Sequence, residues 1–395
     1  MKKCAVAGKC GACSYLKTEY AEQLKIKHDY VAGLFPKQNV SEVKGMRDPY
    51  HYRHKVYASF YQDRYHHIHA GLYEENSHRH IDSSACLIQH VTANQILKTI
   101  CETADKMKLS AYHEDSGIGI LRHAYIRVSS LNGEVLLVIV IGSRELPGSK
   151  HFVQVLTKAH PQIRTIVLNY NHEKTSMILG RRDKVLFGKG YITDQINGIS
   201  YRISSRSFYQ VNPKQTEVLY QTALQLADLK ENETVLDACC GIGTISLAAA
   251  KQAKHVTGVE ISPEAIRDAK NNARYSNIEN VTFYASDITA FLKKNREHFD
   301  TVILDPPRSG MGEAAMRSVA DIAPDKIVYV SCNPVTQADD LKTLNGKYKI
   351  QKIVPVDMFP FTKHVETVCC LYHQKKDFIS VPYEPKNADY LKQLK

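Results

Sequence analysis

The feature that most constrains the fold is a regular alternation of strand and helix patterns in the second half of the chain. Apolar runs such as "VLDACCG", "VTGVEIS", "TVILDPPR" and "KIVYVSCNP" are each followed by a helical pattern. Such alternation predicts parallel strands covered by helices, and the last two runs, "YKIQKIVPV" and "VETVCCLYH", predict an antiparallel pair at the end. Ligands of these sheets bind beyond the carboxyl ends of the strands.

The first half of the chain has a different pattern. Short runs such as "AYIRVSS" and "EVLLVIVIG" are joined by Leu131–Glu134, a sequence typical of a hairpin turn. We therefore predict an antiparallel α+β domain with one or two helices, one of them in "TANQILKTICETADKM". The boundary is expected between Gly198 and Ser204, which divides the chain into domains 1–198 and 199–395.

The positive charge is concentrated in the first half. Residues 1–200 contain 27 Lys/Arg and 18 Asp/Glu, whereas residues 201–395 contain 25 and 23. A basic half beside a nearly neutral one favours contact with a polyanion such as nucleic acid, although a solvated basic surface is the alternative. Candidate RNA contacts are Arg53, Lys55, Arg64, Arg79, Arg122, Arg127, Arg181, Arg182 and Lys184.

Nothing in the sequence suggests a membrane protein. The longest apolar run, Val135–Ile141, is too short to cross a bilayer, and the first residues lack the apolar segment of a signal peptide. We expect a cytoplasmic protein without a membrane partner, and a monomer.

A glycine turn after the first strand of the second half indicates a cofactor site. Gly241 and Gly243 allow the backbone to approach a ligand, but Ser246 stands where a dinucleotide fingerprint has its third glycine. The next strands end in Glu260, suited to a ribose diol, and Asp287, placed to meet an adenine amine. This pattern resembles the Rossmann-like fold that binds S-adenosyl-L-methionine; an NAD-binding unit or an ordinary turn are the alternatives.

Cys332 stands at the end of a predicted strand, directly before an Asn-Pro sequence that no strand continues through. A cysteine there is either a core thiol or a nucleophile. The loop Asp305–Arg308 after the preceding strand has neither a cysteine nor an aromatic residue after its prolines. Among the thiols of this half, Cys332 is therefore the one best placed for catalysis.

A thiol in this position suits methylation of a pyrimidine at C5. Addition of a thiolate to C6 makes C5 nucleophilic, and a base must later remove the C5 proton. Glu366, in "DMFPFTKHVETV", is the candidate base; an exposed acid at a strand edge is the alternative.

Five segments together resemble the bacterial RNA uracil-C5 methyltransferases: "SFYQVNP", "DACCGIGT", "ILDPPRSG", "YVSCNP" and "MFPFTKHVETV". They occur in that family's order over Ser207–Val368. The resemblance implies a class I methyltransferase domain in which Cys332 is the nucleophile and Glu366 the base. It also implies cofactor contacts from Gln210, Cys239, Thr244, Glu260 and Asp305. The family usually has an aromatic residue at position 239 and asparagine at position 244.

Three cysteines near the start of the chain have the spacing of metal ligands. Cys4, Cys10 and Cys13 lie within ten residues, and Cys86 is the best candidate for a fourth ligand. Thiolates select zinc or iron–sulfur, and the spacing alone does not separate the two. The sequence therefore predicts a metal site within the first domain.

The resemblance favours a [4Fe–4S] cluster and a ribosomal substrate. Family members with this cysteine spacing carry such a cluster and act on 23S ribosomal RNA, whereas members that act on tRNA generally lack it. The chain is similar to the short type without the N-terminal OB-like (TRAM) domain. We therefore expect a 23S rRNA methyltransferase, with a tRNA enzyme or a non-catalytic iron–sulfur RNA-binding protein as alternatives.

Overall fold

The computed structural model describes residues 2–374, except residues 75, 76, 78, 176 and 296. The helices are α1 Tyr20–Leu34, α2 Val91–Lys106, α3 Ser149–Ala159, α4 Pro213–Ala227, α5 Thr244–Ala250, α6 Pro263–Tyr275, α7 Ile288–Lys294, α8 Glu313–Asp321 and α9 Pro334–Lys342. The strands are β1 Lys55–Gln62, β2 Ile68–Tyr73, β3 His80–Asp82, β4 Leu121–Val128, β5 Val135–Ile141, β6 Ile163–Tyr170, β7 Arg182–Phe187, β8 Tyr191–Ile196, β9 Ile199–Ser204, β10 Thr234–Asp237, β11 His255–Glu260, β12 Val281–Ala285, β13 Thr301–Leu304, β14 Lys326–Ser331, β15 Tyr348–Val356 and β16 Glu366–His373. Of the helices in this part of the chain, none combines the length and the apolar character needed to cross a bilayer.

The second half forms the predicted α/β sheet, with the strand order β12-β11-β10-β13-β14-β16-β15. The first five of these strands pair in parallel. β16 is antiparallel to both of its neighbours. Central strands such as β14 are buried along their whole length, because helices cover both faces of a parallel sheet. The prediction of a parallel sheet with an antiparallel end is confirmed.

The sheet of the first half has the order β3-β2-β1-β4-β5-β6-β7, and it is mixed. β5 and β6 are parallel because α3 returns the chain to the starting edge between them. The prediction of a wholly antiparallel sheet is therefore wrong at this pair. The predicted number of helices was also too low, since α1, α2 and α3 all precede residue 198. Only Phe152 and Leu156 of α3 are buried, so the apolar pattern that would predict this helix from the sequence covers a single turn.

The two halves of the chain are interleaved around the predicted boundary. Gly198 lies in the turn of the β8–β9 hairpin, whose residues join the core that contains the face of α4. Residues of the first half also reach the second sheet, where Val40 and Lys44 form β-bridges with β15. The division at residue 198 remains a prediction, and the early part of the chain contacts both sheets.

Helix α1 is joined to the loop between β15 and β16 by a buried ion pair. Lys27 Nζ lies 2.6 Å from Asp357 Oδ1, and both side chains have at most 1% of their surface exposed. The hydroxyl of Tyr20 donates to the other carboxylate oxygen of Asp357 at 2.8 Å. In the same loop Phe361, which has a left-handed backbone (φ 67°), donates its N–H to Gln23 Oε1 at 2.9 Å. Helix α1 thus holds the segment that leads into Glu366.

Replacing Lys27 with alanine should destabilise the protein strongly, because the Asp357 carboxylate would remain buried without its cation. Breaking a buried pair in this way costs about 3–5 kcal/mol in the free energy of unfolding. Lys25→Ala is the matched control: this lysine is exposed on the same helix, and its loss should cost less than about 0.5 kcal/mol. Denaturant unfolding of both variants tests this, and equal midpoints would contradict it.

Candidate active site

One cleft at the carboxyl ends of the parallel strands brings together every residue that the sequence predicted for cofactor binding and catalysis. The cleft is lined by Gln210, Cys239, Thr244, Glu260, Asp287, Asp305, Cys332 and Glu366. The first and last of them, Gln210 and Glu366, are more than 150 residues apart in the chain. Most of these residues meet because parallel strands end at the same edge of a sheet.

The glycine turn is held against the end of β11. Glu260 accepts the N–H of Gly241 at 3.3 Å with one carboxylate oxygen and the N–H of Ser262 at 3.0 Å with the other. Gly243 has φ of 84°, and a Cβ there would lie 2.9 Å from the ring of Phe283. Glycine is needed for both reasons, and the result is a narrow turn that exposes its backbone to the cleft.

Asp287, Thr244 and Gln210 of the predicted cofactor site have hydrogen-bond partners within the protein. Asp287 caps α7 by accepting the N–H of Ala290 at 2.9 Å, and it lines the cleft as well. Thr244 lies 3.2 Å from the hydroxyl of Tyr220, which is also hydrogen-bonded to Gln210. The sequence did not single out Tyr220, because a buried tyrosine on α4 reads as an ordinary core residue.

Cys239 lies at the back of the cleft, where it contacts the sulfur of Met311. The two sulfur atoms are 3.7 Å apart. Burial, and then the charge of Asp237, raise the pKa of Cys239 above its usual value. An uncharged thiol packed on a thioether is an apolar contact, so this position can offer a ligand only apolar surface and backbone atoms.

Three carboxyl groups near the cleft have raised pKa values. Burial raises the pKa of Asp237 to about 6, that of Asp305 to about 7 and that of Glu366 to about 8. Repulsion adds to the shift of Asp305, through Asp237, and to that of Glu366, through Asp305. Asp237 accepts the Ser246 hydroxyl at 2.6 Å, and the backbone N–H groups of Cys239 and Ser246 also favour its charged form. A carboxyl whose pKa lies near neutrality can accept a proton during a reaction.

Cys332 directly follows β14, and Glu366 is the first residue of the neighbouring strand β16. The antiparallel pairing of β14 with β16 ends with Ser331 opposite Thr367, so Cys332 and Glu366 are the next residues at the same end of the two strands. Asn333 caps α9 directly after the thiol, and Pro334 occupies the first turn of that helix. The strand therefore stops at the cysteine, which is half-buried at the mouth of the sheet.

The charges around Cys332 shift the pKa of its thiol in opposite directions. Burial and the carboxylate of Glu366 raise the pKa of the thiol to about 11, while Arg308 lowers it. The carbonyl oxygen of Arg308 is held by Asn333 Nδ2 at 3.1 Å and by Thr336 Oγ1 at 3.3 Å. These two bonds hold the backbone of Arg308 against the start of the helix that follows the thiol.

Asp340 on α9 fixes the rest of the Asp305–Gly312 loop. It accepts the N–H groups of Met311 at 2.7 Å and Gly312 at 3.0 Å, and the hydroxyl of Tyr329 at 2.5 Å. Sequence reasoning missed this residue because "QADD" reads as an exposed helical turn. What marks Asp340 as a structural residue is its burial on α9, and burial is visible only in the structure.

The four predicted metal-ligand cysteines line a second, small cavity. Cys4, Cys10, Cys13 and Cys86 all contribute to its wall, and Cys86 also reaches the main cleft. Burial, followed by the charges of the other three thiols, raises the pKa of Cys13 to about 12. In the described residues, no group of three or more His, Cys, Asp or Glu side chains is arranged closely enough to hold a metal ion. The thiols therefore share a cavity without forming a closed ligand set.

A scan against family models matches residues 19–375 to the tRNA (uracil-5-)-methyltransferase family. The chain belongs to this family. It is 42% identical to an uncharacterised RNA methyltransferase of Halalkalibacterium halodurans, over 93% of this chain and 82% of that protein. It is 41% identical to one of Listeria innocua, over 93% and 83%.

A solved structure of the same architecture exists for Pyrococcus abyssi tRNA (uracil-54, C5)-methyltransferase in complex with S-adenosyl-L-homocysteine. Its TM-score with this chain is 0.75 at 26% identity, covering 91% of this chain and 86% of that one. The family match includes Cys332, Glu366 and the strands that bear them.

The opposite effects of Glu366 and Arg308 on the Cys332 thiol predict how it reacts with iodoacetamide in the absence of RNA. Above about pH 8, where Glu366 is ionised, Glu366→Gln should speed alkylation about three- to tenfold, because it removes a repulsive charge. Below that pH the two proteins should react alike. Arg308→Gln should slow the reaction, whereas Arg317→Gln, on the exposed side of α8, should leave it unchanged. Peptide mapping of Cys332 measures the rate, and equal rates for Arg308→Gln and wild type would contradict this account.

Proposed function

We propose that this protein methylates C5 of a uridine in RNA with S-adenosyl-L-methionine as methyl donor. The observation that carries the proposal is the placement of Cys332, just after β14, and Glu366, at the start of the adjacent β16, in one cleft with the glycine turn. A soft nucleophile and a buried carboxyl that face a common space are the two groups that C5 methylation requires.

The residues around the glycine turn fit the proposed cofactor. We assign its binding to the backbone of Gly241, to Glu260 for the ribose, and to Asp287 for the adenine, with Gln210 and Asp305 on the side of the thiol. Bound S-adenosyl-L-methionine supplies an electrophilic methyl group. Cys239 and Thr244 contribute apolar surface and backbone at this site.

Cys332 begins the reaction by adding to C6 of the uracil. The thiol must first lose its proton, and Arg308 favours the thiolate against burial and the charge of Glu366. Formation of the sulfur–carbon bond moves the C5–C6 electron pair toward C5, which becomes enolate-like. A protonated Glu366 repels the thiolate less, so the two groups are suited to opposite protonation states in the first step.

Glu366 completes the reaction by removing the C5 proton. Once C5 carries the methyl group, the carboxylate takes the hydrogen, the C5–C6 double bond re-forms, and the thiolate of Cys332 leaves. A carboxylate with a pKa of about 8 is a stronger base than an exposed one, because burial makes its charged form costly.

We assign 23S ribosomal RNA as the substrate and a [4Fe–4S] cluster to the four cysteines, with zinc as the alternative metal. The support is the spacing of Cys4, Cys10 and Cys13 together with the shared cavity that adds Cys86. Thiol side chains are the donor set that these metals use, and Cys86 faces the backbone N–H groups of Ile88 and Gln89, as ligating sulfurs often do. We assign the group a structural role.

A tRNA substrate is the second candidate, favoured by the name of the family and by the archaeal enzyme of similar fold. Mapping 5-methyluridine in ribosomal RNA and tRNA, from cells with and without this protein, separates the two. Loss from 23S ribosomal RNA alone is the expected result, and loss from tRNA alone would overturn the ribosomal assignment.

The metal assignment has its own test. Protein prepared without oxygen should contain iron and sulfide, and stoichiometric zinc instead would show that the four cysteines bind zinc and not a [4Fe–4S] cluster.

RNA that contains 5-fluorouridine should trap a covalent complex with the wild-type protein. The fluorine at C5 cannot leave as a proton, so Cys332 cannot be released after methylation. Cys332→Ala should give no complex. Glu366→Gln should accumulate the complex even with natural RNA and lose at least about 100-fold in turnover, since general-base catalysis contributes that much.

Gel mobility and mass spectrometry of the RNA-linked peptide measure this complex. Cys101→Ala is the matched control, because this half-buried cysteine lies on α2, outside the cleft. A complex that persists in Cys332→Ala would show that another nucleophile acts. Normal turnover by Glu366→Gln would show that another group takes the proton.

A further inference from the structure

A row of cations and aromatic rings lies along one face of β1 and the residues just before it. Arg53, Lys55 and Tyr57 are alternate residues of an extended segment, so their side chains point to the same side. The pairing with β4 continues the row, with Arg127 opposite Lys55 and Tyr125 opposite Tyr57. The face therefore combines three positive charges with two rings.

These cations have no acidic partners. In the part of the chain that the structure describes, no carboxylate oxygen lies within 4.0 Å of the charged groups of Arg53, Lys55 or Arg127. Instead Lys55 Nζ lies 5.6 Å from the ring centre of Tyr57 and 5.6 Å from that of Phe208. Burial, and then the charges of Arg127 and Arg53, lower the pKa of Lys55 to about 7. An anion bound here would relieve this repulsion.

The row reaches the cleft that contains Cys332 at Arg53 and Tyr57, whereas Tyr125 and Arg127 are buried, and Lys55 lies beside the ring of Phe208. Arg53, Tyr57 and Phe208 line that cleft, and the ring of Phe208 is 64% exposed. An exposed phenylalanine ring that lines the cleft offers a flat apolar surface to a ligand. Base stacking on such rings is a common means of holding single-stranded RNA.

Gln89 adds an unsatisfied hydrogen-bonding group at the same place. It lines the cleft, is only 3% exposed, and its Oε1 has no hydrogen-bond partner among the described residues. Gln89 and Arg53 are bridge partners, so their side chains leave the backbone on the same side. A buried amide oxygen without a partner is unfavourable, which points to a hydrogen-bond donor supplied by a ligand.

We propose that Arg53, Lys55, Gln89 and Phe208 form a binding site for the nucleotide next to the target uridine. The proposal rests on the proposed function, which places the target base beside Cys332 in the same cleft. Lys55 and Arg53 bind the phosphate, Phe208 stacks on the base, and the amide of Gln89 hydrogen-bonds to the edge of the base. Phosphate contacts hold the strand in register, whereas the amide discriminates between bases.

The phosphate contacts are tested by the salt dependence of binding. The probe is a fluorescent oligouridylate of about 12 nucleotides, which is within the usual length of a single-strand site. Lys55→Gln and Arg53→Gln should each reduce the slope of log K against log salt by about 0.7, the value for one phosphate of a single strand. Lys150→Gln, an exposed lysine on α3 away from the cleft, is the matched control and should leave the slope unchanged.

The stacking and base contacts have separate tests. Phe208→Ala should weaken binding roughly fivefold to 150-fold, and Phe208→Tyr should restore it. For Gln89, four probes differ only in the base that precedes a central uridine. The wild-type protein should bind them with unequal affinity, and Gln89→Leu should abolish the difference without changing the salt slope.

Failure of this site is distinguishable from failure of the proposed function. Thermal melting and binding of S-adenosyl-L-methionine show that each variant is folded. If the wild-type protein methylates RNA but the Lys55, Arg53 and Phe208 variants bind the probes like Lys150→Gln, the site is refuted and the function stands. If the wild-type protein binds the probes as described but forms no methylated or trapped product with any RNA, the proposed function fails and the nucleotide site stands.

Discussion

The buried ion pair between Lys27 and Asp357 is the interaction on which the arrangement of the cleft depends. It joins a helix near the start of the chain to the loop that leads into Glu366, more than 300 residues later. Gln23 and Tyr15 bind both backbone polar groups of Phe361, and Tyr52 donates to the carbonyl oxygen of Pro360 at 3.1 Å. A loop with a left-handed phenylalanine needs such external support. The early part of the chain therefore helps to position Glu366, the proposed general base.

The electrostatics of the cleft follow from the same burial. Three carboxyls and a thiol in a water-poor site cannot all be charged at once, and Arg308 is the cation that acts on both Cys332 and Glu366. In the proposed reaction, addition to C6 needs the thiolate of Cys332, and removal of the C5 proton needs the carboxylate of Glu366. The pair can meet these needs in sequence because each group's charge opposes ionisation of the other.

Much of the second domain could be predicted from the sequence because its signals are local. The strand that ends at Cys332, the proline that starts α9 and the glycine turn are all short patterns, and strand ends of a parallel sheet converge by topology. Asp340, Tyr220 and Lys27 could not be predicted in this way. Their roles depend on partners far away in the chain, and an Asp or Lys in a helix usually faces solvent. The parallel pairing of β5 with β6 was missed for a related reason, since the short apolar face of α3 gave a weak helical signal.

Release of tritium from RNA labelled at C5 of uridine tests whether Cys332 and Glu366 act together on that carbon. One tritium should be released for each methyl group incorporated, only in the presence of S-adenosyl-L-methionine, and Cys332→Ala should release none. Methyl incorporation without release of tritium, or release that persists in Cys332→Ala, would contradict it.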